Sequence, residues 1–110
     1  MGIFKSIPSK RIINGIMIET SDSVIVSNTN YSTNGEYVII IKGVEHCELF
    51  LDNNTTDHVV VKALTEVLVK SDTLIDDEFT EVELSHGSCV EFKYVGGSWY
   101  ILSSDGLKNS

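Results

Sequence analysis

The residues in this sequence best equipped for chemistry are two His/Cys pairs and one run of acids. His46 adjoins Cys47, and His86 lies just before Cys89. Two imidazoles and two thiolates make a tetrahedral zinc set. Adjacent residues in a strand point to opposite faces, however, so His46 and Cys47 do not share an ion, and no C-x-x-C pair anchors a site. Asp72, Asp76, Asp77, Glu78, Glu81 and Glu83 offer the hard oxygens that calcium takes. They lack the glycine-centred ligand spacing of a recognised calcium loop, which makes a solvated acidic loop the expectation. No cofactor is expected. The sequence has no G-x-S-x-G elbow, no phosphate-cradling glycine loop and no Ser/His/Asp set, so the chain is expected not to be an enzyme.

Two other motifs concern surfaces. Met1-Gly2-Ile3-Phe4-Lys5-Ser6 fits the N-myristoylation pattern, and Lys5, Lys10 and Arg11 would add the basic help that one acyl chain needs at a membrane. The pattern is short and its false positives are many. Trp99 and Tyr100 have the aromatic faces that stack on sugars, which suggests carbohydrate as a ligand. Sixteen acidic side chains against eight basic give a net charge of −8, which repels a phosphate backbone, so nucleic acid is not an expected partner. The apolar runs are far too short to cross a bilayer as a helix, and membrane insertion is not expected either. Without an export signal, Cys47 and Cys89 are expected as reduced thiols in a chain made in a host cytoplasm.

The elements that must position these residues are strands. A chain of 110 residues fits one domain with one modest core. Apolar bursts are separated by Asn, Asp, Gly, Ser and Thr at the spacing of a sandwich, barrel or short solenoid, and no stretch carries a helical stripe. The pattern predicts strands over 11–18, 23–27, 36–42, 47–52, 58–62, 66–70, 79–84, 88–95 and 98–103. Leu49 and Leu51, Val59 and Val61, Val67 and Val69, and Val82 and Leu84 alternate with mostly polar neighbours, which marks half-buried strands. Tyr37-Val38-Ile39-Ile40-Ile41 is apolar at every position, so both of its faces need a cover. Tyr37, Val38 and Ile40 are accordingly the expected subunit contact of a homo-oligomer, with a second sheet of the same chain as the alternative cover.

The strongest local signal is Gly96-Gly97 between two alternating runs. A glycine pair accepts the positive φ angles of a two-residue hairpin turn. The register then sets Tyr94 opposite Trp99, Phe92 opposite Ile101 and Val90 opposite Ser103 on a core face. Lys93 with Tyr100 and Glu91 with Leu102 fall on the other face. This places Trp99 in the core rather than on a sugar platform.

The stretch 65–108, above all Val90, Phe92 and Tyr94, the Gly96-Gly97 turn, and Trp99-Tyr100-Ile101, resembles the β-rich closing segment of virion structural proteins of phages and large DNA viruses. Proteins of the tail-fibre, baseplate and capsid-associated kind carry such an element. The resemblance implies a virion component that assembles with copies of itself, most often as a trimer, and with a larger virion protein. The combined expectation is an all-β chain: an extended N-terminal arm over 1–10, a single small antiparallel β-sandwich or jelly-roll-like domain over 11–104, and a polar tail over 105–110. Its expected role is that of a non-enzymatic minor capsid, decoration or tail component. The alternative is a small binding module for carbohydrate or another surface ligand.

Overall fold

The structure, a computed structural model, describes the backbone of residues 10–13, 16–19 and 23–107 and the side chains of residues 23–105. All regular elements among them are strands: β1 (Lys10–Ile13), β2 (Ile16–Glu19), β3 (Ser23–Val26), β4 (Asn30–Ser32), β5 (Val38–Ile41), β6 (His46–Leu51), β7 (His58–Ala63), β8 (Glu66–Ile75), β9 (Phe79–Val95) and β10 (Ser98–Leu107). β1 and β2 form a two-stranded antiparallel sheet of their own. The other strands form one eight-stranded sheet in the order β3-β5-β7-β9-β10-β8-β6-β4.

That order describes a short β-solenoid. β3, β5 and β7 stack in parallel, and so do β4, β6 and β8. Parallel neighbours need a return path, and here each even-numbered strand carries the chain back between two odd-numbered ones. The register aligns like positions in successive coils: Val24, Ile39 and Val61 on one stack, and Tyr31, Leu49 and Val69 on the other. Ile39, Ile41, Leu49, Leu51, Val59, Val61 and Val69 are fully buried between the stacks. Each such side chain contributes about 1.5–3 kcal/mol relative to leaving it in water.

The all-β class agrees with the sequence reading, but the antiparallel sandwich or jelly roll does not form. Alternation with period two looks the same in a parallel and an antiparallel half-buried strand, so it could not distinguish coils from hairpins. The strand expected over 11–18 is divided into β1 and β2, and β4 has no counterpart among the expected strands. Of the expected arm over 1–10, residues 1–9 lie outside the described residues, and with them the myristoylation motif at Gly2. β10 continues through Asp105 to Leu107, into the stretch expected as a polar tail.

The corners of the coils are polar and hydrogen-bonded across coils. The Thr33 hydroxyl accepts from Asp52 N at 2.8 Å, and Thr55 Oγ1 donates to the Thr33 carbonyl at 2.8 Å. The buried carboxylate of Glu36 accepts from Asn34 N at 2.7 Å and from the Tyr31 hydroxyl. Burial, with that bond and the charge of Glu36 adding to it, pushes the Tyr31 hydroxyl up to about 12. At the opposite corner Thr65 Oγ1 reaches the carbonyls of Val44 and Glu45 at 2.6 and 2.7 Å. Buried polar groups in these corners are thereby satisfied, which is the condition for stacking one loop on another.

β9 and β10 lie at one end of the stacks. The first half of β9 pairs antiparallel with β8, through Val67↔Leu84 and Val69↔Val82, and its second half pairs antiparallel with β7, through Val61↔Val90 and Val59↔Phe92. Between them the strand turns from one stack to the other at Gly87, whose φ of +97° favours a residue without Cβ. The buried Ser88 hydroxyl donates to the Ser85 carbonyl at 2.7 Å inside this bend. Gly96 and Gly97, with φ of +61° and +94°, make the tight turn into β10.

The predicted hairpin pairs form at Tyr94↔Trp99, Lys93↔Tyr100 and Phe92↔Ile101. A register shift after Ile101 then moves Ser103 opposite Glu91 and Ser104 opposite Val90, in place of the expected Val90–Ser103 and Glu91–Leu102 pairs. The extra residue of this bulge, Leu102, is 57% exposed.

Trp99 is fully buried, its ring centroid 5.3 Å from that of Tyr94, and its backbone pairs with Ile75 of β8 as well as with β9. Its indole Nε1 has no hydrogen-bond partner among the described residues, so apolar packing carries this side chain. Trp99→Ala is expected to lower the unfolding free energy by about 3–5 kcal/mol. Urea titration of the two proteins measures it, and a loss under about 1 kcal/mol would mean that the indole does not fill the core.

Candidate functional site

A solenoid this narrow turns half of each strand outwards, so the two outer faces hold what the molecule can present to others. Their characters differ. The outer face of β4, β6 and β8 carries His46 beside Glu66, and Glu48, Leu68 and Glu83 in one row. The row of Ser32, Phe50, Lys70 and Glu81 lies next to it. Two shallow grooves run there, of about 160 and 270 Å³, and they share Glu48. Both fall below the roughly 300–1,000 Å³ of pockets that enclose small molecules.

The outer face of β3, β5 and β7 is apolar towards β3. Register puts Ile25 beside Ile40, and Val38 beside Val60. Ile25 is 60% exposed and Tyr37 41%, while Val38, Ile40 and Val60 are each half-buried. The expected contact residues Tyr37, Val38 and Ile40 therefore lie on one outward surface, while Ile39 and Ile41, between and beyond them, fill the core. Sequence reasoning missed Ile25 and Val60. Alternation at Val59 and Val61 had already implied that Val60 faces outwards, but only the parallel register shows that it continues the row of Val38.

Polar groups border this patch on its β9 side. His58 Nε2 lies 2.5 Å from Glu91 Oε2, and Ser103 Oγ donates to Glu91 Oε1 at 3.2 Å. The Tyr37 ring meets the His58 ring edge-on at 4.9 Å between centroids. Lys93 pairs with Asp57 at 3.5 Å, and Lys62 Nζ donates to the Gly87 carbonyl at 3.1 Å. The bond from His58 holds the Glu91 carboxyl below its ordinary value of 4.5, against the opposing effect of desolvation and with the help of the Ser103 bond. The patch thus has an apolar centre bordered by paired polar groups.

The other candidate residues are dispersed. Cys47 is buried while its neighbour His46 faces outwards, His86 is exposed at the β9 bend, and Cys89 is half-buried. Burial, with the charge of Glu48, pushes the Cys47 thiol up, so it stays protonated and unreactive. Among the described residues no group of three His, Cys, Asp or Glu side chains is placed to hold a metal ion. In the acidic stretch, Asp76 and Asp77 form the β8–β9 turn with φ of +56° and +60°. Asp76 Oδ1 accepts from Ile101 N at 2.9 Å, and Asp77 Oδ1 accepts from the Tyr100 hydroxyl at 3.1 Å, so both bind β10. Those hydrogen bonds, with the charge of Asp77, push the Tyr100 hydroxyl up.

No protein-family model, curated protein or solved structure matches the chain. The outer face of β3, β5 and β7 is thus identified by its geometry alone.

The His58–Glu91 pair makes a pH-dependent contribution whose sign is fixed. A carboxyl held below its ordinary value in the folded state stabilises the fold above that value, and the contribution is lost as pH falls through the lowered one. Glu91→Gln is therefore expected to be less stable than the parent near neutral pH, with the gap narrowing as pH drops below 4.5. Urea unfolding across a pH series reads this, and a gap that stays constant through that window would rule out the pair.

Proposed function

We propose that this chain is a non-enzymatic structural component of a virion, which assembles as a homo-oligomer through the outer face of β3, β5 and β7. The observation that carries the reading is the continuous outward row of Ile25 and Ile40 beside Val38 and Val60, on a chain whose core already takes Ile39 and Ile41. Four neighbouring apolar side chains on one surface are a docking feature, whereas single exposed ones are ordinary.

Covering one such side chain fully contributes up to about 1.5–3 kcal/mol. Association costs about 4–15 kcal/mol, so the four must be covered together, along with Tyr37. A flat face that runs across three stacked strands suits copies that lie side by side around a common axis, and a trimer is the assembly proposed. The likeness of the β9–β10 hairpin to the closing segment of virion proteins supports the virion role. A second apolar corner supports a contact with a larger virion protein. There Phe79 and Val95 are exposed beside the β8–β9 and β9–β10 turns, which Asp76 N brings together by donating to the Trp99 carbonyl at 2.9 Å.

The test replaces Val38 and Ile40 with serine and weighs both proteins by light scattering at micromolar concentration. The parent is expected to be oligomeric and the double variant monomeric with its strand signal intact. A monomeric parent overturns the reading, and a double variant that stays oligomeric moves the contact to another surface.

A further inference from the structure

The order of the eight-stranded sheet ends in β3 and β4, which are edge strands at the same end of the solenoid. At the other end β9 pairs with β7 and β8, and β10 pairs with β9 and meets β8 at Trp99↔Ile75. An exposed edge is a template for pairing with another chain, and proteins protect it with charges, prolines, bulges or a covering segment. β3 reads Ser-Val-Ile-Val, with no charge and no proline, and it runs in unbroken register with β5. Among the described residues β3 is paired as a strand with β5 alone, and β4 with β6 alone. Protection has to come from a covering segment.

The chain carries a suitable one directly upstream. β1 and β2 pair with each other, from Lys10↔Glu19 to Ile13↔Ile16, and among the described residues with no other strand. An isolated two-stranded hairpin is at best marginally stable in water. This one has apolar residues at positions of both faces: Ile12 and Met17 on one, Ile13, Ile16 and Ile18 on the other. It is therefore itself in need of a surface. Thr20, Ser21 and Asp22 are all that separate β2 from β3. So short a tether, at about 3.3–3.6 Å per residue, keeps the hairpin beside the β3–β4 end. The opposite end lies beyond β5, β7 and β9, each about 4.8 Å further on. Charge agrees, since Lys5, Lys10 and Arg11 occur among the first thirteen residues with no acid, in a chain of net charge −8.

We infer that the β1–β2 hairpin is the cap of the β3–β4 end, and that it covers the edges and the terminal coil of its own solenoid. The tether gives it an effective concentration of order millimolar, ahead of any competing copy at micromolar concentration. Capped in this way, copies do not meet through β3 and β4.

Amide hydrogen exchange tests the assignment, with the full chain compared against Ile16→Asp/Ile18→Asp and against a chain that starts at Thr20. In the full chain the amides of β3 and β4 are expected to be protected at every protein concentration. In both variants they are expected to exchange about tenfold faster or more, while those of β7 and β9 keep their rates. The variants are also expected to form larger species as concentration rises. Unprotected β3 and β4 amides in the full chain overturn the inference even if neither variant folds. Protection unchanged in the variants overturns it, and protection lost on dilution of the full chain would assign the cap to a neighbouring copy instead.

Discussion

The structure depends on one strand that hydrogen-bonds to two stacks at once. β9 spends its first half on β8 and its second half on β7, and the bend at Gly87 and Ser88 carries it between them. Without it the odd-numbered and even-numbered stacks would be two narrow parallel sheets, each with an unpaired edge at both ends. With it they become one sheet, in an order that runs from β3 to β4. The cost falls on the bend, where a left-handed backbone and a buried hydroxyl have to be accommodated. Gly87 meets the first demand and the Ser85 carbonyl the second.

Much of this was legible at the level of single strands and little at the level of their pairing. The alternation of Leu49 and Leu51, or of Val67 and Val69, correctly marked the inward residues of β6 and β8, since period two reports burial on one face whatever the partner. The same signal is silent about direction, which is why coils were read as hairpins. Spacing gave no repeat to correct the error. Val24, Ile39 and Val61 occupy like positions in successive coils at unequal intervals, because the loops between them differ in length. β4, only Asn30-Tyr31-Ser32, is too short to alternate visibly. β9 was read as two strands because its polar bend looks like a loop, and no rule of sequence places a bulge at Leu102.

The candidate site divides along the same line. Tyr37, Val38 and Ile40 could be nominated because five consecutive apolar residues cannot all face one core. Ile25 and Val60 join them only through parallel register, a property of neighbours far apart in the chain. The acidic stretch shows the reverse case, in which residues with the look of chemistry serve architecture. Asp76 and Asp77 tolerate a left-handed turn, as short polar side chains do, and spend their oxygens on holding β10.

Because its parallel pairings run from β3 and β4 to β7 and β8 and stop at the antiparallel β9, the stack of coils has a direction along its axis. β9 is antiparallel to both stacks, and β10, antiparallel to β9, returns to the direction of the coils but meets β8 only at Trp99↔Ile75. The two ends of the stack are thus of different kinds, a start made of parallel strands and a finish made of an antiparallel pair.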